Sequence, residues 1–169
     1  FEVLERDGLG RIGKLTLGKR TLETPALLPV INPNKILVPP REMAERFGCQ
    51  ALITNSYIIR RTPELKEKAL AEGLHKLLDF DGPIMTDSGT FQAHVYGRVD
   101  VTNKEIVEFQ RDIGSDIGTI LDIFSEPRDE KSLALKAVDE NIVRGREAVK
   151  LKGEMALAGP IQGGVYWDV

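Results

Sequence analysis

Cysteine is almost missing from this chain of 169 residues, which holds only Cys49. A lone thiol closes no internal disulfide, which excludes a disulfide-stapled miniature fold and favours a reducing, cytoplasmic compartment. Long apolar runs are missing too, and none approaches the roughly 18–20 residues that a membrane helix needs. The opening residues, Phe1-Glu2-Val3-Leu4-Glu5-Arg6-Asp7, do not have the basic start and apolar stretch of a signal peptide. Charge of one sign is not in excess: 23 Lys+Arg face 26 Asp+Glu, for a net charge of −3. That balance argues against non-specific nucleic-acid binding through bulk charge. Repeats and low-complexity tracts are absent as well.

What is present is ordinary globular material, 41% hydrophobic and 29% charged. A chain of this size buries roughly 70% of its unfolded surface. The first 75 residues are net basic and the rest net acidic. Arg60-Arg61, beside Asn55-Ser56-Tyr57, is the candidate RNA-facing pair; a solvated pair after a strand is the plain alternative.

Residues 1–24 read as a hairpin, with turn chemistry at Asp7-Gly8-Leu9-Gly10 and again at Gly18-Lys19. Short apolar runs then recur at Ala26–Val30, Ala51–Thr54, Pro83–Thr86, Ile117–Leu121 and Met155–Ile161, as expected for strands buried on both faces of a parallel sheet. Helical segments lie between them: 40–47 and 63–72, each with Pro at the start and Gly at the stop, 102–113 with a capping box, and 130–151. The last places Leu133, Leu135, Ala137, Val138, Ile142, Val143 and Val149 mainly on one face. Strand–helix alternation implies βαβ units, in either a doubly wound sheet or the first five strands of a (β/α)8 TIM barrel. A whole barrel takes about 250 residues, so residues 25–169 would be a partial one, truncated at the C-terminus.

In parallel α/β folds, chemistry sits at the carboxyl ends of strands. The residues there are Asn55-Ser56-Tyr57, Asp87-Ser88-Gly89-Thr90-Phe91-Gln92, Asp122 and Gln162-Gly163-Gly164. Any one of them alone reads as a cap or an Asx-turn. Four strand ends that all finish on hydrogen-bonding side chains point instead to a binding rim. A carboxylate pair can serve glycosyl chemistry as nucleophile and proton carrier. Asp122 and Gln162 match the edge of a guanine-like base, and Phe91 could stack on its face. Gly8-Leu9-Gly10-Arg11-Ile12-Gly13 fits G-x-G-x-x-G by letters, but its place in a hairpin excludes a dinucleotide site.

These residues carry a resemblance. Gly82-Pro83-Ile84-Met85-Thr86-Asp87-Ser88-Gly89-Thr90-Phe91-Gln92 closely resembles the TDSG-x-[FY]-Q signature of tRNA-guanine transglycosylases. Glu23-Thr24-Pro25-Ala26-Leu27-Leu28-Pro29-Val30 looks like that family's first barrel strand. Asn55-Ser56-Tyr57 with Arg61-Thr62-Pro63 resembles its second strand end, and Ile161-Gln162-Gly163-Gly164 its fifth. Thr90-Phe91 and Leu121-Asp122-Ile123-Phe124 are similar to the archaeal branch. The resemblance implies exchange of a D-arm guanine in tRNA for 7-cyano-7-deazaguanine, the archaeosine precursor; the other branch acts on the wobble guanine. It implies Asp87 as a catalytic carboxylate, either nucleophile or proton-transfer partner. It also implies substrate contacts from Ser88, Phe91, Asp122 and Gln162. Gly163 would let backbone approach the ligand closely, and the charge pattern leaves Arg60 and Arg61 as the candidate tRNA contacts. The family's zinc ligands, a second catalytic aspartate and the RNA-binding domains have no counterpart here. The expectation is therefore a fragment or half-enzyme, inactive alone and completed by a C-terminal half or another copy. A non-catalytic subunit is the competing expectation. Cys49 reads as a small core residue, His75 as a helix-surface residue, and His94 as a lesser candidate for substrate contact.

Overall fold

Turn residues set the first element. In the computed structural model, which describes residues 1–92 and 100–169, β1 (Glu2–Asp7), β2 (Gly10–Leu17) and β3 (Arg20–Thr24) form an antiparallel sheet in that order. Gly8 and Gly18 take φ of 56° and 57° at the two tight turns, where a side chain would be strained. Sequence suggests a hairpin, and the structure adds a third strand to it. Leu17 and Leu22 are its buried contacts. Arg20 fastens this sheet to the rest: Nε donates to Asp81 O at 2.8 Å, and Nη1 lies 3.2 Å from Asp116 Oδ1.

The second sheet is parallel. It comprises β4 (Val30–Ile31), β5 (Leu52–Asn55), β6 (Ile84–Asp87), β7 (Ile117–Thr119) and β8 (Ala156–Ala158), hydrogen-bonded in chain order. This order lacks the reversal that defines a doubly wound sheet. Three strands are shorter than their apolar runs. Of the run Ala26–Val30, only Val30 is in a strand, because Pro25 and Pro29 have no N–H for a ladder. β8 stops before Pro160 for the same reason, and β7 stops at Thr119 although its run continues to Leu121.

Helices join the strands: α1 (Pro40–Phe47), α2 (Ser56–Arg61), α3 (Pro63–Glu72), α4 (Leu74–Leu78), α5 (Asn103–Asp112) and α6 (Lys131–Leu151). Pro40 and Pro63 sit in first turns, Gly48 closes α1 in the left-handed conformation, and Thr102 with Glu105 forms the capping box of α5. Leu52, Ile59, Leu74, Ile84, Ile106 and Ile113 make the centre of the core.

Two expectations need correction. On α6 the buried residues are Ala134, Ala137, Asn141 and Ala148, while Leu133, Leu135, Ile142, Val143 and Val149 are exposed. Small residues let this helix lie close against its neighbours. Ile142 and Val149 instead face an open groove of about 590 Å³ shared with Leu157 and Ile161. His75 is not a surface residue: it is half-buried, with Nε2 2.9 Å from Asp116 Oδ2. Cys49 packs partly buried against the core, donates its thiol to Ala51 O at 3.1 Å, and is pushed up in pKa by burial. His94 lies outside the described residues.

Candidate active site

Parallel register places Asn55 beside Asp87 at the carboxyl ends of β5 and β6. Asn55 Nδ2 donates to Asp87 Oδ2 at 2.7 Å and to Gln92 Oε1 at 2.8 Å. Its Oδ1 accepts from Ile58 N–H at 2.8 Å, which caps α2 and fixes the amide's orientation. Ser56 Oγ donates to Asp87 O at 2.7 Å, so side chain and backbone of the carboxylate are both anchored. Burial pushes the Asp87 carboxyl above its usual range, and the negative charge of Asp122 adds to this. Hydrogen bonds from Gly89 and Ser88 N–H and from Asn55 pull the other way. Gly89 has φ of 94°, and a Cβ there would collide with Tyr57. The signature loop can therefore lie against α2 only with glycine at this position.

Asp122 and Gln162 meet a short way off. Gln162 Nε2 donates to Asp122 Oδ2 at 2.6 Å, and its Oε1 accepts from Ser125 N–H at 3.1 Å. Thr90 joins the two parts, since its Oγ1 donates to Asp122 O at 3.2 Å and lies 3.2 Å from Ser88 Oγ. Ser88 is thus buried support, not an exposed contact. Phe91 is 57% exposed and borders, with Asp87, Asn55 and Gln92, a cavity of about 360 Å³. Gly163 is buried at φ of 136°, near the carbonyls of Tyr166 and Val169. Arg60 pairs with Glu105 at 3.4 Å, and Arg61 donates to Tyr57 Oη at 3.4 Å, so neither guanidinium is uncommitted. Two functional candidates were visible only as strand-end residues without a role: Asn55 and Gln92, the partners that hold Asp87.

The implied zinc finds no fit here. Among the described residues no group of three or more His, Cys, Asp or Glu could hold a metal ion, and the chain's single cysteine is bonded to Ala51 O.

A family model described as queuine tRNA-ribosyltransferase matches residues 7–169. The tRNA-guanine(15) transglycosylase of Thermoplasma acidophilum is 55% identical over 169 residues, which are 100% of this chain and 26% of that protein. The enzymes of that name from Thermococcus kodakarensis and Methanopyrus kandleri are 53% and 50% identical, again over 100% of this chain and over 29% and 37% of their own lengths. The chain thus spans between a quarter and just over a third of these relatives. By the match over almost its whole length, the chain belongs to the queuine tRNA-ribosyltransferase family.

Proposed function

We propose that this chain carries the base-recognition and part of the glycosyl-exchange site of a tRNA-guanine(15) transglycosylase, which replaces a D-arm guanine with 7-cyano-7-deazaguanine. The observation that carries this is the Asp122–Gln162 contact at 2.6 Å, joined through Thr90 to the anchored Asp87. A guanine edge offers N1–H and an exocyclic amine side by side, and the Asp122 carboxylate accepts both. The second N–H of Gln162 Nε2 is left for a base acceptor. Phe91 supplies a stacking face, worth about 1–3 kcal/mol.

In the exchange, the ribose C1′ bond to guanine N9 breaks and a bond to N9 of the incoming base forms. The departing base gains a proton and the incoming base loses one. A carboxyl raised by burial suits that proton transfer, so Asp87 is read as the group that holds the proton at the base. Asn55 and Gln92 orient it. tRNA is the polymer partner, and phosphate binding by Arg60 or Arg61 would compete with Glu105 and Tyr57.

The sequential parallel sheet is read as five strands of a (β/α)8 barrel, covered below by the antiparallel sheet. Its remaining strands would come from a complementary C-terminal half or another copy, which would also bring the zinc site. The compartment is read as the cytoplasm. A second reading is a non-catalytic half that binds base only with a partner. Exchange of labelled guanine into tRNA separates the two. A completed assembly containing Asp87→Ala should lose exchange and keep its fold; near-normal turnover would remove Asp87 from the site.

A further inference from the structure

Strand β7 ends at Thr119, yet the stretch that carries Asp122 beyond it is firmly held. No strand pairing of β7 continues past Thr119, so its backbone groups need other partners. Side chains of α5 and α6 provide them. Thr119 N–H donates to Gln110 Oε1 at 3.0 Å, and its carbonyl accepts from Gln110 Nε2 at 2.8 Å. Two residues on, Leu121 N–H donates to Asn103 Oδ1 at 3.0 Å, and its carbonyl accepts from Arg144 Nη1. Two further, Ile123 N–H donates to Asn141 Oδ1 at 2.8 Å, and its carbonyl accepts from Asn141 Nδ2 at 3.1 Å.

The interval of two is that of a strand, where alternate residues turn their peptide groups to one side. A carboxamide presents donor and acceptor in one plane, as a neighbouring strand's peptides do. The intervening residue, Asp122, gives its carbonyl to Thr90. These amides are otherwise costly choices. Asn103 and Asn141 are each only 7% exposed, and other buried positions of α6 are alanine. A buried amide left unpaired pays its full desolvation cost, so each is tolerated because its partners are fixed. Asn103 Nδ2 is also occupied, by Arg144 O at 3.1 Å and Glu147 Oε2 at 2.7 Å.

We propose that Asn103, Asn141 and Arg144 are positioning residues for base recognition: they extend β7 through side-chain hydrogen bonds and hold the Asp122 carboxylate against Gln162, with Asn141 setting selectivity for a guanine-type edge. This rests on the reading of Asp122 and Gln162 as the base readers. Recognition of two adjacent donors requires both carboxylate oxygens to keep their aim, and a misplacement of about 1 Å can cost a hundredfold. Asn141 acts at the peptide next to Asp122, without touching the base.

The test combines amide hydrogen exchange with titration of guanine and of hypoxanthine, which lacks the exocyclic amine. In the wild-type chain, Ile123 N–H should exchange as slowly as amides within β7. In Asn141→Leu its exchange should accelerate at least tenfold while β7 and β8 stay protected, and the preference for guanine over hypoxanthine should fall by about tenfold to a hundredfold. If that variant does not fold, Asn141→Asp serves, because it keeps an acceptor for Ile123 N–H and replaces the donor to Ile123 O with a carboxylate oxygen; the preference should fall there too. Unchanged exchange at Ile123, an unchanged preference, or equal weakening of both bases overturns the proposal. Failure of the wild-type chain to bind guanine, with Ile123 protected, overturns the base-reading assignment itself and the recognition role with it.

Discussion

Asp87 is the residue where function and stability pull apart. Burial raises its pKa above the ordinary 3.8, so the folded chain binds this proton more tightly than the unfolded chain does. Stability from this group is therefore present at low pH and lost as pH rises from 3.8 through the raised value. Asp87→Asn should raise the melting temperature of the chain at neutral pH, about 2–4 °C for each kcal/mol released, and should abolish exchange in a completed assembly. A melting temperature that falls, or a wild-type pH slope retained in the variant, would contradict this. Asp116 has the opposite sign. Burial alone would raise its pKa, but His75, the Ile84 N–H and Arg20 together hold it below the usual range. Its contribution is present above 3.8 and lost as pH falls through the lowered value. Asp116→Ala should cost about 3 kcal/mol in urea melts at pH 7, with a smaller difference in strong acid. The residues of the candidate site are legible in the sequence because the signature and the strand ends mark them. The Arg20–Asp116–His75 group is not, because its members lie 41 to 96 positions apart and no local pattern joins them.

At the scale of elements, the signals that worked were the ones whose mechanism is local. Pro40, Gly48, Pro63, Gly73 and the Thr102–Glu105 box act within one turn, and the helices they bound lie where the sequence predicts them. Strand limits depend on the neighbour. Without knowing what lies beside it, Ile117–Leu121 reads as one strand, although helix side chains replace the ladder after Thr119. α2 was hidden because Ser56–Arg61 follows a strand directly, with Asn55 serving both as its cap and as the Asp87 partner. On α6 periodicity reports apolar positions, not which of them a neighbour covers, and the covered face is that of Ala134, Ala137, Asn141 and Ala148. The Gly89 turn makes this local logic testable. Gly89→Ala imposes both a strained φ and a clash with Tyr57, and should cost about 1–3 kcal/mol in denaturant melts. A loss below about 0.5 kcal/mol would mean that the signature loop is free to move away from α2.

At the scale of the whole molecule, the parallel sheet is bordered by β4 on one side and β8 on the other. Beside β8 lies the apolar groove of α6, and Leu37 and Trp167 are 82% and 96% exposed. Open edges and apolar faces favour association, so the isolated chain should self-associate with rising concentration in sedimentation. It should also fail to exchange guanine in tRNA until the rest of a relative's catalytic domain is supplied. A strict monomer with full exchange activity would contradict the proposal of a complementary half. The residues proposed to read the base, Asp122 and Gln162, both lie within this chain. The most direct measurement is calorimetric titration of the chain with 7-cyano-7-deazaguanine, wild type against Asp122→Ala. Saturable binding that the substitution weakens at least tenfold is the expected result; no binding by the wild type, or equal affinity in both, would contradict the assignment.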